Sequence, residues 1–180
     1  MENVFLFSMD DAETKSGIAI QKGCELETLL PFIRDEIQIE NLRNFYPDGQ
    51  CHILGMQERG ENLSIWNIMS EGDLILGYSN RSIVYASYVL MKMDNPSLAA
   101  RLWSKHADAP FRLMCFTDKP HSGEVPIVPQ MLIYLEQDCV NFTKLSSDKR
   151  DNILRDYGSF EIFVRLGLGY DFPFNLRHTE

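Results

Sequence analysis

A mixed α+β fold, a barrel-like sheet with short helices packed around it, is the class that this sequence predicts. Short apolar runs of strand length recur at Val4–Met9, Cys51–Met56, Leu74–Tyr78, Ile83–Leu90 and Phe111–Thr117. The helical patterns between them are brief and fall at the connections. Their order is too irregular for a doubly wound parallel sheet.

Taken in order, VFLFSM supplies the first strand and DDAETKSG a loop. Leu26, Leu29, Leu30 and Ile33 share helical spacing, with Pro31 breaking the later part. RDEIQIENLRNFYPDGQ reads as a polar connection ending in the turn Pro47-Asp48-Gly49. CHILGM is a strand, and Asn62 is placed to cap a helix carrying Leu63, Ile65, Trp66 and Met69. Leu74–Tyr78 and Ile83–Leu90 form a hairpin across Ser79-Asn80-Arg81-Ser82. Asn95-Pro96 opens a helix facing Leu98, Ala99 and Leu102 inward. The run Pro126–Glu136 holds a short helical segment, with a strand for LIYL as the alternative. Ser146-Ser147-Asp148 caps a helix that Gly158 closes.

A chain of 180 residues is most simply one domain. Such a chain buries roughly 70% of its unfolded surface and folds without metal or disulfide. The expected division is a domain over 1–160 and an extension over 161–180 that packs on it or leads to an effector domain. A net charge of −9 speaks against a non-specific nucleic-acid coat, though it leaves room for a basic rim around one pocket. The four cysteines form no CxxC pair, so no metal or other cofactor is expected, and the set fits a reducing, cytoplasmic setting. No run approaches a membrane span and the N-terminus lacks a signal peptide pattern. No Ser–His–acid set, phosphate-cradling glycine loop or zinc deaminase pattern is present, so a catalytic role is not expected.

The most specific block is GDLILGYSNRSIVYASYVLMKMDNPSLAARLWSKHADAPFRLMCF. It reads as a hairpin, a short helix and a further strand, with Trp103 just before the last. LILGYSNRSIVYASYVL, LWSKHADAPFRLMCFTDKP and VPQMLIYLEQDCVNFTKLSSDKR, in that order after VFLFSM, resemble the PUA-like EVE and YTH domains, including N-terminal modules of modification-dependent restriction proteins. The resemblance covers roughly residues 4–158. It implies a PUA-like barrel and non-catalytic binding of nucleic acid with a methylated adenine or cytosine. The base would be flipped into an aromatic pocket. DNA in a defence context is the expected partner, RNA the alternative, and an effector subunit or domain a further one. A protein-interaction module on the same fold is the competing reading, drawn from the acidic balance and the aromatic C-terminal run FEIFVRLGLGYDFPF.

The resemblance also implies a site. Trp103 would stack on the base, with Tyr78, His52 and Gly55 reading its edge. Arg81, Lys105 and Arg112 would hold flanking phosphates, with Asn80 beside them in the turn. Each has a structural alternative. Trp103 can pack the helix onto the sheet, His52 can be a strand residue, and Tyr78 can sit at an exposed strand end. Asn80 can serve the positive φ of a tight turn, and the basic window 101–112 can be a solvated helix end. Trp66, spaced with Ile65 and Met69, reads as packing. CHILGM carries no aromatic ring, so Trp103 is the one tryptophan expected at the pocket.

Overall fold

The computed structural model describes residues 2–10, 17–106, 110–121 and 123–170. Its strands are β1 (Val4–Ser8), β2 (Ile18–Glu25), β3 (Gln50–Met56), β4 (Leu74–Ser79), β5 (Ser82–Asp94), β6 (Leu113–Thr117), β7 (Val125–Pro126) and β8 (Thr143–Lys144). Its helices are α1 (Leu26–Leu29), α2 (Glu36–Phe45), α3 (Asn62–Ile68), α4 (Pro96–Leu102), α5 (Ser147–Tyr157) and α6 (Phe160–Ile162), the last running into a π-turn over Phe163–Gly167. The strands run β2-β3-β6-β5-β4-β1-β8, with β7 beside β5. The β1–β4 pair is parallel and the other strand pairs are antiparallel. The mixed α+β architecture expected from the sequence is what the chain forms.

Side-chain alternation curls this sheet around an interior. Phe5 and Phe7 of β1, Ile18 of β2, Leu54 and Met56 of β3, Ile75 of β4, Tyr85 and Val89 of β5, and Leu113 and Cys115 of β6 share one buried cluster. Ile65 and Met69 of α3 and its C-cap join that cluster. Residues one position out of step face the other way. Val4, Leu6, Leu74 and Leu76 pack under Ile153, Phe160 and Phe163 from α5, α6 and the π-turn. Cys51, Ile53, Met114 and Phe116 pack under Leu26, Leu29, Leu42, Leu98 and Ala99 from α1, α2 and α4. β5 pairs with β4 from Ser82 to Tyr88 and with β6 from Val89 to Asp94, and a register shift between Val89 and Met91 marks the turnover.

Local chemistry sets the boundaries. Asn95 accepts a hydrogen bond from Leu98 N–H and starts α4, as expected. Asn80 and Arg81 both have positive φ, 49° and 60°, and so close the two-residue hairpin loop. Gly158, at φ 78°, ends α5, although Ser146 makes no side-chain cap. Asn62 is not the cap of α3, since its side chain donates to the Gln57 carbonyl instead. Residues 129–133 form a 3-10 turn.

Two elements run against the sequence reading. β2 falls where the sequence reading had assigned no strand: Ile18-Ala19-Ile20, just after the expected loop, continues through polar residues as an edge strand with a register shift between Gln21 and Cys24. α2 falls in the stretch read as a polar connection. Asp35 accepts hydrogen bonds from Ile37 and Gln38 N–H to open it, and Leu42 alone is fully buried. Residues 161–170, the described part of the expected extension, pack on the body. Phe163, Val164, Leu168 and Tyr170 are buried, and Tyr170 Oη donates to the carbonyls of Ile83 and Gly123 at 3.0 and 2.6 Å. Residues 171–180 lie outside the described residues.

The buried carboxylate of Asp73 ties the N-terminus to the start of β4. It accepts from Asn3 N–H at 2.7 Å and Ser70 N–H at 2.8 Å. Asp73→Ala removes the acceptor of both N–H groups and is expected to lower the unfolding free energy by about 1–3 kcal/mol, read by denaturant titration.

Candidate nucleic-acid interface

Strand register divides the expected site residues between two ends of the barrel. One end is marked by the Asn80-Arg81 turn. There β1 finishes at Ser8, paired with Tyr78, and Asp10 accepts from Ser79 Oγ at 2.7 Å. His52 is level with the middle of β5, through its pairing with Thr117 and that of Thr117 with Val89. Gly55 pairs with Met114, which pairs with Met93, and so lies toward the other end. Trp103 and Arg112 go with Gly55, because Trp103 covers Gly55 and Arg112 binds Asp94 at the end of β5. Tyr78, Asn80 and Arg81 therefore belong to the hairpin, His52 stands level with Val89 between the two ends of β5, and Trp103, Gly55 and Arg112 form a separate group.

The rings are inside. Trp103 is 6% exposed and follows α4 as its C-cap. Its indole packs on Phe111 at 5.4 Å between ring centroids and lies against Gly55, where an added Cβ would overlap Cη2 and come within 2.7 Å of Cζ3. The expectation of an indole standing open beside the sheet is corrected by this packing. The indole N–H has no hydrogen-bond partner, which costs about 1–3 kcal/mol for a buried donor. Tyr78 is 1% exposed and sits among Leu135, Cys139 and Leu145, so it is not an exposed strand-end ring. Burial pushes its phenol pKa well above the usual range. Trp66 is a packing residue. Its indole donates to Met114 O at 3.3 Å, and Lys92 Nζ lies 4.5 Å from its ring centre.

The cations differ in availability. Arg112 is held by Asp94 through two bonds of 2.6 and 2.5 Å and approaches Glu58 at 3.5 Å, so its charge is neutralised locally. Lys105 is exposed in the turn after Trp103. At the hairpin end, Arg81 is exposed on the loop. Lys22 lies 5.7 Å from the Tyr85 ring centre. Neither Arg81, Lys22 nor Lys119 has an ion pair among the described residues.

His52 links Lys22 and Lys119. Its Nδ1 accepts from Gly23 N–H at 3.1 Å, so the neutral ring carries its proton on Nε2. Partial burial holds its pKa below the ordinary histidine value. Lys119 and Lys22 push it the same way and Asp48 opposes them, so these three charges all stand near the ring. Beneath it, Tyr46 Oη donates to the Thr117 carbonyl at 2.5 Å, and Ser87 Oγ donates to Tyr85 Oη at 2.9 Å. Sequence reasoning missed Lys22 and Lys119. They are far apart in the chain, and only the β2–β3–β6 pairing brings them to one histidine.

A hollow of about 280 Å³ lies elsewhere, lined by residues that include Glu61, Glu136, Asp138, Cys139 and Phe142. None of the expected site residues lines it, and its carboxylates disfavour phosphate. Among the described residues no three of His, Cys, Asp and Glu gather as metal ligands.

No protein-family model matches the chain, and no curated protein matches it in sequence. Among solved structures it is similar to the N-terminal domain of Thermococcus gammatolerans McrB bound to m5C DNA, with a TM-score of 0.55 and 12% identity over 86% of this chain and 96% of that one. At that identity the likeness establishes a shared fold.

Gly55→Ala is expected to cost about 1–3 kcal/mol by driving a methyl group into the indole, seen as a lower denaturation midpoint. Protonating His52 removes the acceptor of Gly23 N–H. Its folded pKa lies below the unfolded value of about 6.5, so its contribution is present above that pH and is lost as pH falls through the folded value. Denaturation midpoints should therefore drop in mild acid, and His52→Gln should flatten that drop.

Proposed function

We propose that the chain is a non-catalytic recognition domain for DNA carrying a modified base, of the PUA-like EVE/YTH type. One observation carries this reading: the fold matches, over almost the whole of the smaller partner, a domain whose structure was solved on m5C DNA. The cations support it, because an acidic chain that keeps Lys22 and Lys119 beside His52, and Arg81 on the hairpin loop, out of ion pairs has local places for phosphates.

In this reading the target base is flipped out of the duplex. Arg81, Lys22 and Lys119 hold the flanking phosphates, while His52, through Nε2–H, and Asn80 stand closest to the base edge. Lys105 is a peripheral phosphate contact at the far end, and Arg112 adds little because Asp94 already satisfies it. Trp103 and Tyr78 meet a base only after a ring leaves its packing. For Trp103 the unpartnered indole N–H favours that exchange, since the closed arrangement leaves a donor unsatisfied. Methylated cytosine and methylated adenine are the two candidate marks. A defence role with an effector domain or subunit, in the cytoplasm, follows from the same family resemblance. No helix among the described residues is long and apolar enough to cross a membrane.

The second reading, a protein-interaction module, has its own support in Val128, Leu132 and Ile133, apolar residues exposed on and beside one short turn. The two readings separate in one experiment. Fluorescence anisotropy with duplexes bearing 5-methylcytosine, N6-methyladenine or no mark, and with methylated RNA, should show tighter binding to one marked DNA. Lys22→Ala and Lys119→Ala should weaken binding to all duplexes alike and each reduce the log–log salt slope by about 1, with Arg112→Ala changing little. Equal affinity for marked and unmarked DNA overturns the proposal.

A further inference from the structure

Cys24 and Cys51 face each other across the β2–β3 pair, directly opposite in register. Antiparallel partners have Cα atoms about 4.5–5.5 Å apart, inside the roughly 4.4–6.8 Å range that a disulfide spans. The Cys51 thiol is turned toward its neighbour and donates to the Cys24 carbonyl at 3.3 Å. Both thiols are free. Cys24 is half-buried and Cys51 is fully buried, so a solute reaches Cys24 first. Next to Cys24 the strand has slack, from the register shift after Gln21 and from Gly23 at φ 67°. A small closing movement can be absorbed there without disturbing the β3–β6 ladder.

We propose that Cys24 and Cys51 form a hydroperoxide-sensitive dithiol that oxidises to an intramolecular cross-strand disulfide. Cys24 is the attacking sulfur. Beyond its greater accessibility, the neighbouring Cys51 side chain lowers the pKa of Cys24, while the same pairing, followed by burial, raises that of Cys51. The Cys24 thiolate attacks the terminal oxygen of the hydroperoxide. The O–O bond breaks, a sulfenic acid forms on Cys24, and alcohol or water leaves after taking up a proton. The Cys51 sulfur then attacks the sulfenic sulfur, losing its own proton, and the displaced hydroxide leaves as water. Two thiols lose two electrons and two protons, and one peroxide bond is reduced.

The other two cysteines are placed differently. Cys115 is sealed in the barrel interior, its thiol pushed up to about 12 by burial. Cys139 donates to the Asn141 carbonyl at 2.9 Å, and burial likewise raises it to about 12. The pair is also where a bridge has most to hold, because among the described residues β2 is an edge strand paired with β3 alone. The inference is independent of the proposed DNA binding.

The test treats the intact protein with hydrogen peroxide, then unfolds and alkylates it without reductant. Alkylatable thiols should fall from four to two, with a mass loss of two hydrogens. Peptide mapping should join Cys24 to Cys51, and the thermal midpoint should rise until reductant is added. Cys51→Ser should leave Cys24 as a sulfenic acid trapped by dimedone, while Cys24→Ser should give neither bridge nor trapped acid. Far-UV circular dichroism checks that each variant is folded. Four thiols remaining after oxidation, a bridge through Cys115 or Cys139, or a bridge only between molecules would each overturn the proposal.

Discussion

The structure depends on one strand serving two sheets. β5 hydrogen-bonds to β4 along its first half and to β6 along its second, and the shift between Val89 and Met91 lets it change partners. Because side chains alternate, that change folds two ladders around the shared interior of Phe7, Leu54, Tyr85, Val89 and Cys115. Without it the α5–α6 face and the α1–α2–α4 face would be the outsides of two unrelated sheets. With it they are opposite walls of one barrel, and the ends of that barrel become distinct surfaces.

The distinction between the ends shapes the functional reading. A linear block running from the hairpin through Trp103 to β6 invites the view that its aromatic and basic residues share one cleft. In the folded chain β5 carries the block from one end to the other. Arg81 therefore stays at the hairpin, while Trp103 goes with Gly55 and the Arg112–Asp94 pair. The missing side chain at Gly55 is what lets the indole lie flat on β3, so glycine and tryptophan form a single packing unit.

What was legible follows from how local each signal is. The Asn80-Arg81 hairpin, the Asn95 cap and the Gly158 stop are each written in two or three adjacent residues, and each is found in place. β3, β4 and β6 are apolar because both faces are covered, and their runs were plain. β2 was hidden because an edge strand needs apolar residues only where it meets the interior, and beyond Ala19 its side chains are half-buried or exposed. α2 was hidden because one fully buried leucine among charges gives almost no periodic pattern, leaving the Asp35 cap as its clearest trace. The burial of Trp103 and the convergence of Lys22 with Lys119 depend on pairings between distant strands, which composition and spacing do not encode.

The C-terminal hydroxyl anchor has a geometric corollary. Tyr170 is pinned to Ile83, one residue into β5 and beside the hairpin loop, and to Gly123. Tyr170 therefore ends the described chain at the pole of the barrel that carries Arg81. A duplex held by Arg81 would therefore lie beside this anchor rather than across the body of the protein from it.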